Sequence, residues 1–184
     1  MGGAALADSD ITTGRLLLLE YERIKEEQRS RITFRDNTFY ATLATMAAVI
    51  AAVLQAGGTP SLLLLIPPVS IVLGWTYLMN DVTVSAIGHY IRTELTPRLT
   101  AIVADDEAVF GWERAHRADD RRVSRKALQL AIEFMMFVVA PLITLVVYWL
   151  NDGPHPGLLA VSVVEAVGVL VLAVQIVLYA DWSR

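Results

Sequence analysis

Two carboxylates stand inside long, otherwise uncharged runs: Glu133 in 127–150 and Glu165 in 158–180. An ionisable side chain at membrane depth is costly, so it normally faces a partner helix or water. Gln129, Glu133, Pro141, Thr144 and Tyr148 recur at helical spacing and share one face; Ser162, Glu165, Gly168, Leu172 and Gln175 share another. Counting about 1.5 Å of rise per residue puts Glu133 level with Gln175, and Thr144 level with Glu165. Glu133, Thr144, Ser162, Glu165 and Gln175 therefore make a candidate polar path, on stripes that face each other or a shared axis in an oligomer. Glu133 lies near the basic residues Arg125 and Lys126, where a structural role is as open as a functional one. Glu165 has no basic residue on its side, and is expected to be protonated or hydrogen-bonded to another helix.

These residues need elements to hold them. The chain has 184 residues, 55% of them hydrophobic and only 18% charged, and the excess apolar content is concentrated rather than spread. A membrane helix needs about 20 predominantly apolar residues. Asn37–Ala56, Ser61–Asn80, Ala127–Leu150 and Leu158–Ala180 qualify. Gly57-Gly58-Thr59-Pro60 joins the first two: the glycines end a helix, Thr59 can cap the next, and Pro60 suits its first turn. The breaker-rich stretch 151–157 joins the last two. The expected fold is all-α, a four-helix transmembrane protein of two hairpins with long cytoplasmic helical extensions. Its parts are a flexible N-terminus (1–12), a cytoplasmic helix (13–36), a first hairpin (37–80), a cytoplasmic helical region (81–126), a second hairpin (127–180) and a tail (181–184).

All 15 lysines and arginines lie in Arg15–Arg35, in Arg92–Lys126 or at Arg184, and neither hairpin loop has one. Positive charge stays on the cytoplasmic side, so both termini and the central segment are expected there. Tyr148, Trp149, Tyr179 and Trp182 near span ends suit the interface. Met1–Asp10 lacks a basic start and an apolar run, so no cleaved leader is expected.

Without a proline or glycine from Arg15 to Ala56, the cytoplasmic helix is expected to run straight into the first span, as a rod of about 60 Å. Leu17, Tyr21, Ile24, Gln28 and Ile32 form a narrow seam that packs on another helix, while Glu20–Arg23, Glu22–Lys25 and Glu27–Arg31 have pairing distance. Val84, Ile87, Ile91 and Leu95 share a side of the second span's extension, which Thr96-Pro97 should break or bend. A further helix should start near Asp105-Asp106-Glu107 and run into the third span. Gln28, Arg31, Arg35, Arg121, Arg122 and Arg125 are candidate cytoplasmic contacts, for lipid headgroups, a cytoplasmic protein or a small ligand. Ala44, Ala48, Ala52 and Ala56 form a small-residue face for close packing, within the chain or on a neighbour. Pro67, Pro68 and Pro141 mark kinks.

Other chemistry is missing. The chain has no cysteine and only 3 histidines, separated in sequence, so no metal site is expected. No nucleotide loop, zinc-protease or serine-hydrolase motif is present, so neither catalytic residues, a cofactor nor an enzyme is expected. A net charge of −4 gives no reason to expect nucleic-acid binding.

The run Glu20-Tyr21-Glu22-Arg23-Ile24-Lys25-Glu26-Glu27-Gln28, then Arg31-Ile32 and Arg35-Asp36, resembles a group of uncharacterised small bacterial integral membrane proteins. Pro67-Pro68, Gly74-Trp75, Asn80-Asp81 and the exit Ile87-Gly88 to Tyr90-Ile91-Arg92 extend the resemblance over Glu20–Arg98. In layout alone the chain also resembles the SLATT-type membrane modules of bacterial conflict systems. These likenesses imply a bacterial inner (plasma) membrane location and a homo-oligomer that forms a pore or channel controlled by its cytoplasmic helices. The other expectation is a membrane anchor that recruits a cytoplasmic partner.

Overall fold

The computed structural model describes residues 3–103, 122–151 and 155–180. Among them every element is helical and no strand occurs. Helix α1 covers Gly3–Gln55; a 3-10 segment, Pro60–Leu65, leads into α2, Ile66–Tyr90; a π turn, Ile91–Leu95, leads into α3, Thr96–Val103. After the undescribed stretch come α4, Arg122–Phe134, a second π turn, Met135–Val139, then α5, Ala140–Asn151, and α6, Pro156–Tyr179. Four stretches are long and apolar enough to cross a membrane: Thr13–Gln55, Pro60–Ile102, Lys126–Asn151 and Pro156–Tyr179. Helix α1 begins at Gly3, inside the segment 1–12, whose alanine and leucine content favours helix. Of the helix expected from Asp105 into the third span, the part up to Arg121, with Trp112, falls outside the described residues, and from Arg122 it is present as α4.

The chain divides into two compact units, Met1–Phe34 with Asn80–Arg122, and Arg35–Met79 with Val123–Arg184. In unit one, α1 lies against the second segment in antiparallel order. Gln28 Nε2 donates to the Val84 carbonyl at 3.4 Å, Tyr90 donates to Glu20 at 2.6 Å, and a Cβ on Gly14 would lie 3.6 Å from the Ile102 side chain. Descending numbers on one helix thus meet rising numbers on the other. The seam from Leu17 to Ile32 is half-buried throughout, and opposite it Ile91, Leu95 and Leu99 are buried. Glu27–Arg31 pairs as expected, but Arg23 pairs with Glu26, leaving Glu20 to Tyr90.

Pro97 does not break its helix. The turn before it widens: the Thr96 amide and the Thr96 hydroxyl, at 2.8 Å, both donate to the Ile91 carbonyl, five residues back. A proline clashes with the carbonyl four residues before it and offers no amide hydrogen. A π turn shifts those carbonyls and absorbs both defects. Pro141 is accommodated in the same way, two residues after the turn Met135–Val139.

In unit two the first connection works as the glycines demand. Gly57 and Gly58 have φ of 71° and 85°, and the Gly58 amide reaches back to the Val53 carbonyl at 2.9 Å, the Schellman closure. Thr59 departs from expectation: its hydroxyl donates to the Ala56 carbonyl at 2.8 Å, so it finishes the helix before it and not the one after. Pro67 and Pro68 lie in the first turn of α2, where absent amide hydrogens cost least, and the 3-10 segment precedes them.

Leu64, Leu145 and Tyr148 form a core cluster against Leu142 and Ala166. Gly74 lets Leu172 and the Phe137 ring approach, and Gly168 admits Ile71; Cβ atoms there would lie 2.7 Å from Leu172 and 2.7 Å from Ile71. Helix approach through small residues is the packing expected where lipid offers no hydrophobic drive. Large apolar side chains such as Ile50, Leu54, Val72, Ile143, Val164 and Leu178 are exposed on this unit. So broad an apolar exterior suits hydrocarbon and would be a liability in water.

Candidate functional site: buried polar groups in unit two

Thr38, Thr42, Ser70, Glu133, Ser162 and Glu165 are the buried polar residues among the described ones, and all six belong to unit two. Their positions follow from helical phase. On α6 the buried residues are Ser162, Glu165, Val169, Leu172 and Ile176, a three-four alternation that puts both polar groups on the packed face. Gln175 sits beside this stripe, half-buried, because Ile176 takes the core position. On α5 the core positions are Pro141, Leu145 and Tyr148. Thr144, expected on the polar face, is only half-buried and gives its hydroxyl to the Pro141 carbonyl at 2.8 Å. The π turn explains the slip: it advances the helix by one residue, so Leu145 arrives where unbroken α-periodicity from Glu133 puts Thr144.

Glu133 lies just before that turn. Its Oε1 accepts from the Tyr77 hydroxyl at 2.8 Å and from Gln129 Nε2 at 2.7 Å. The Tyr77 ring contacts Phe137, with centroids 5.4 Å apart, and Phe39 at 6.4 Å, while the Arg35 guanidinium lies 5.8 Å from its centre. A tyrosine therefore links a cation on its face to a carboxylate at its hydroxyl, within one unit. Phe39, Tyr77, Leu128, Gln129, Ile132 and Glu133 line an open recess of about 280 Å³ here.

The second carboxylate has different surroundings. Glu165 Oε2 is enclosed and has no hydrogen-bond partner among the described residues, and the same holds for Ser70 Oγ. Ser162, three residues earlier, is satisfied: Trp149 Nε1 donates to it at 2.9 Å and it donates to the Leu159 carbonyl at 2.8 Å, tying the second hairpin together. Thr42 likewise donates to the Thr38 carbonyl at 2.8 Å.

Of the candidate contacts outside the spans, Gln28 bonds Val84 and Arg31 bonds Glu27 within unit one, while Arg35 pairs with Asp36 at 3.2 Å in unit two. Arg121 and the side chains of Arg122 and Arg125 lie outside the described residues. Ala44, Ala48, Ala52 and Ala56 are exposed, so among the described residues no helix covers the small-residue face.

Sequence reasoning missed Tyr77, Ser70 and Arg35 as members of this interior. Tyr77 had a signal: a tyrosine inside an apolar run usually needs a partner for its hydroxyl. Ser70 had none, since serine often satisfies itself on its own helix. No family model, curated protein or solved structure matches the chain.

Proposed function

We propose that this protein is a membrane-embedded conduit for small charged solutes, assembled as a homo-oligomer and controlled by its unit-one helices. The observation that carries the reading is the gathering of Glu133, Glu165 and four buried hydroxyl residues in a unit whose helices are apolar enough to span a membrane. A charged group at the centre of a spanning helix costs a few kcal/mol on insertion scales, a cost more often sustained by function than by packing alone. Glu133, Ser162 and Glu165, flanked by Thr144 and Gln175, mark the path. The burial of the first three within one chain favours a path inside each protomer over one along a shared axis. Copies associate through Ala44, Ala48, Ala52 and Ala56, exposed in the single chain and small enough for close helix approach. Both termini and the basic segments lie on the cytoplasmic side, following the distribution of lysine and arginine.

Ion or dye efflux from liposomes holding the purified protein is the test. Efflux is expected with the wild type and is expected to fall by roughly tenfold or more with Glu165→Gln, since losing a charged group from a low-dielectric path costs at least about 1.4 kcal/mol; Gln175→Leu, which removes a neutral polar group, should lower it less. A folded wild type that leaks no faster than empty liposomes contradicts the conduit, as does an unchanged rate for Glu165→Gln.

One observation favours a second reading, an anchor for a cytoplasmic partner. Leu16, Leu18 and Leu19 on α1 are exposed at 62%, 51% and 49% beside a strongly charged segment. Exposed leucines in a charged helix are the composition of a docking strip. Partner capture that survives loss of the polar residues of 127–180 supports the anchor over the conduit.

A further inference from the structure

We infer that Glu165, Ser70 and the Leu64 carbonyl form a binding site for a small monovalent cation. The inference rests on Glu165 as a buried element of a membrane bundle, and requires no conduction.

Two of the three groups are exposed as needy by burial. Glu165 is 9% exposed and Ser70 0%, and Glu165 Oε2 and Ser70 Oγ are both enclosed without a hydrogen-bond partner among the described residues. Leaving one buried polar atom unsatisfied costs about 1–3 kcal/mol, so two in one small unit ask for a common explanation.

The third group follows from the proline pair. Inside a helix the Leu64 carbonyl is served by the amide of residue 67 in 3-10 register or of residue 68 in α register. Both are proline, so neither has a hydrogen to give. The neighbouring Leu63 carbonyl escapes this fate, because the Ile66 amide donates to it. Leu64 is itself 7% exposed, which keeps water from an easy approach.

Packing puts the three at neighbouring levels. Ile71, the residue after Ser70, meets Gly168, three residues after Glu165. Leu64 belongs to the cluster that Ala166, the residue after Glu165, packs against. Gly74 against Leu172 continues the same parallel register further along α2 and α6. Glu165 therefore lies between the levels of Leu64 and Ser70 on the facing helix, within about one helical turn of each.

The donor set selects the ion. One carboxylate, one hydroxyl and one carbonyl are hard oxygen ligands carrying a single negative charge, which a monovalent cation neutralises. Calcium and magnesium sites usually supply more negative charge than one carboxylate carries, and transition metals prefer imidazole or thiolate. Among the described residues no group of three or more His, Cys, Asp or Glu lies together. Irregular backbone carbonyls beside a membrane carboxylate are a recurrent way of holding such ions.

The probe is radioactive sodium (22Na+) bound to the full-length protein in nanodiscs, read by scintillation proximity. Saturable binding displaced by unlabelled sodium is expected. Glu165→Gln should weaken it by roughly tenfold or more, as loss of a charge-assisted ligand does. Ser70→Ala should weaken it several-fold, and the exposed Glu26→Gln should bind as the wild type does. Sodium should also raise the melting temperature of the wild type but not that of Glu165→Gln. A folded wild type with no saturable binding overturns the site, and a bound water or proton then accounts for the enclosed oxygens. Full sodium affinity in Glu165→Gln or Ser70→Ala overturns it too; if the first variant fails to fold, Ser70→Ala carries the test. Binding without efflux leaves the site standing and removes the conduit, whereas efflux without binding does the reverse.

Discussion

Gly74→Val should loosen unit two strongly, because the glycine stands at one of the tightest helix approaches among the described residues. A Cβ at position 74 meets Leu172 Cδ2 at 2.7 Å and the Phe137 ring at 2.9 and 3.1 Å. Phe137 is 0% exposed and Leu172 2%, so neither has space to withdraw into. Overpacking of this kind costs about 1–3 kcal/mol, and valine adds two more methyl groups to the clash. Gly74→Ala should cost less, because alanine recovers up to about 1 kcal/mol of helix propensity. Gly168→Ala should be milder still: its closest neighbour is the mobile end of Ile71. Gly157→Ala, with nothing within 4 Å, serves as the control. The measurement is the melting temperature of each variant in one detergent. Leu172→Ala added to Gly74→Val should restore part of the loss, a coupling expected only if the two side chains compete for one space. Equal melting temperatures for the Gly74 and Gly157 variants would show that the helices do not approach there.

The second large effect concerns Glu133. Replacing it with alanine removes the acceptor of both the Tyr77 hydroxyl and the Gln129 amide, and leaves a hole in the packed face. A buried donor without an acceptor costs about 1–3 kcal/mol, and the hole adds to it. Glu133→Gln keeps a carbonyl oxygen in place of Oε1, so it should lose much less. The pair of variants separates geometry from charge. If alanine and glutamine are equally damaging to thermal stability, the negative charge itself holds the site, most directly through the Arg35 guanidinium at the other side of Tyr77. If alanine alone is damaging, the hydrogen bonds do. Tyr77→Phe should then reproduce part of the alanine loss and leave little further effect of Glu133→Ala when combined with it.

These two sites also mark how far the amino-acid pattern reaches. Glu133 and Glu165 stand out because each interrupts an apolar run, and the burial of both follows from the cost of exposing them to lipid. The turn at Gly57-Gly58 and the seam from Leu17 to Ile32 are equally legible, since glycine and a three-four spacing each admit few structures. Thr144 and Leu145 show where this reasoning ends. A single π turn, which no residue type announces, moves the packed face by one position and exchanges a hydroxyl for a leucine. A proline two residues later is its only trace, at Pro141 as at Pro97, and a proline alone predicts a kink as readily. Tyr77 meeting Glu133 and Ser70 lacking a partner depend on which helices become neighbours, and periodicity within one helix carries no such information. Glu20 turning from Arg23 to Tyr90 has the same origin: a tertiary partner outbids one on the same helix.

The account stands first on four crossings with every basic segment on one side of the membrane. Because the natural sequence has no cysteine, single cysteines can be introduced at exposed positions and probed with a membrane-impermeant maleimide in sealed vesicles of known orientation. Thr59→Cys and His155→Cys, in the two hairpin connections, should react from one face only. Ser30→Cys and Arg98→Cys should react only from the opposite face. Labelling of Thr59→Cys and Ser30→Cys from the same face would contradict the first crossing, and with it the path proposed through Glu133 and Glu165.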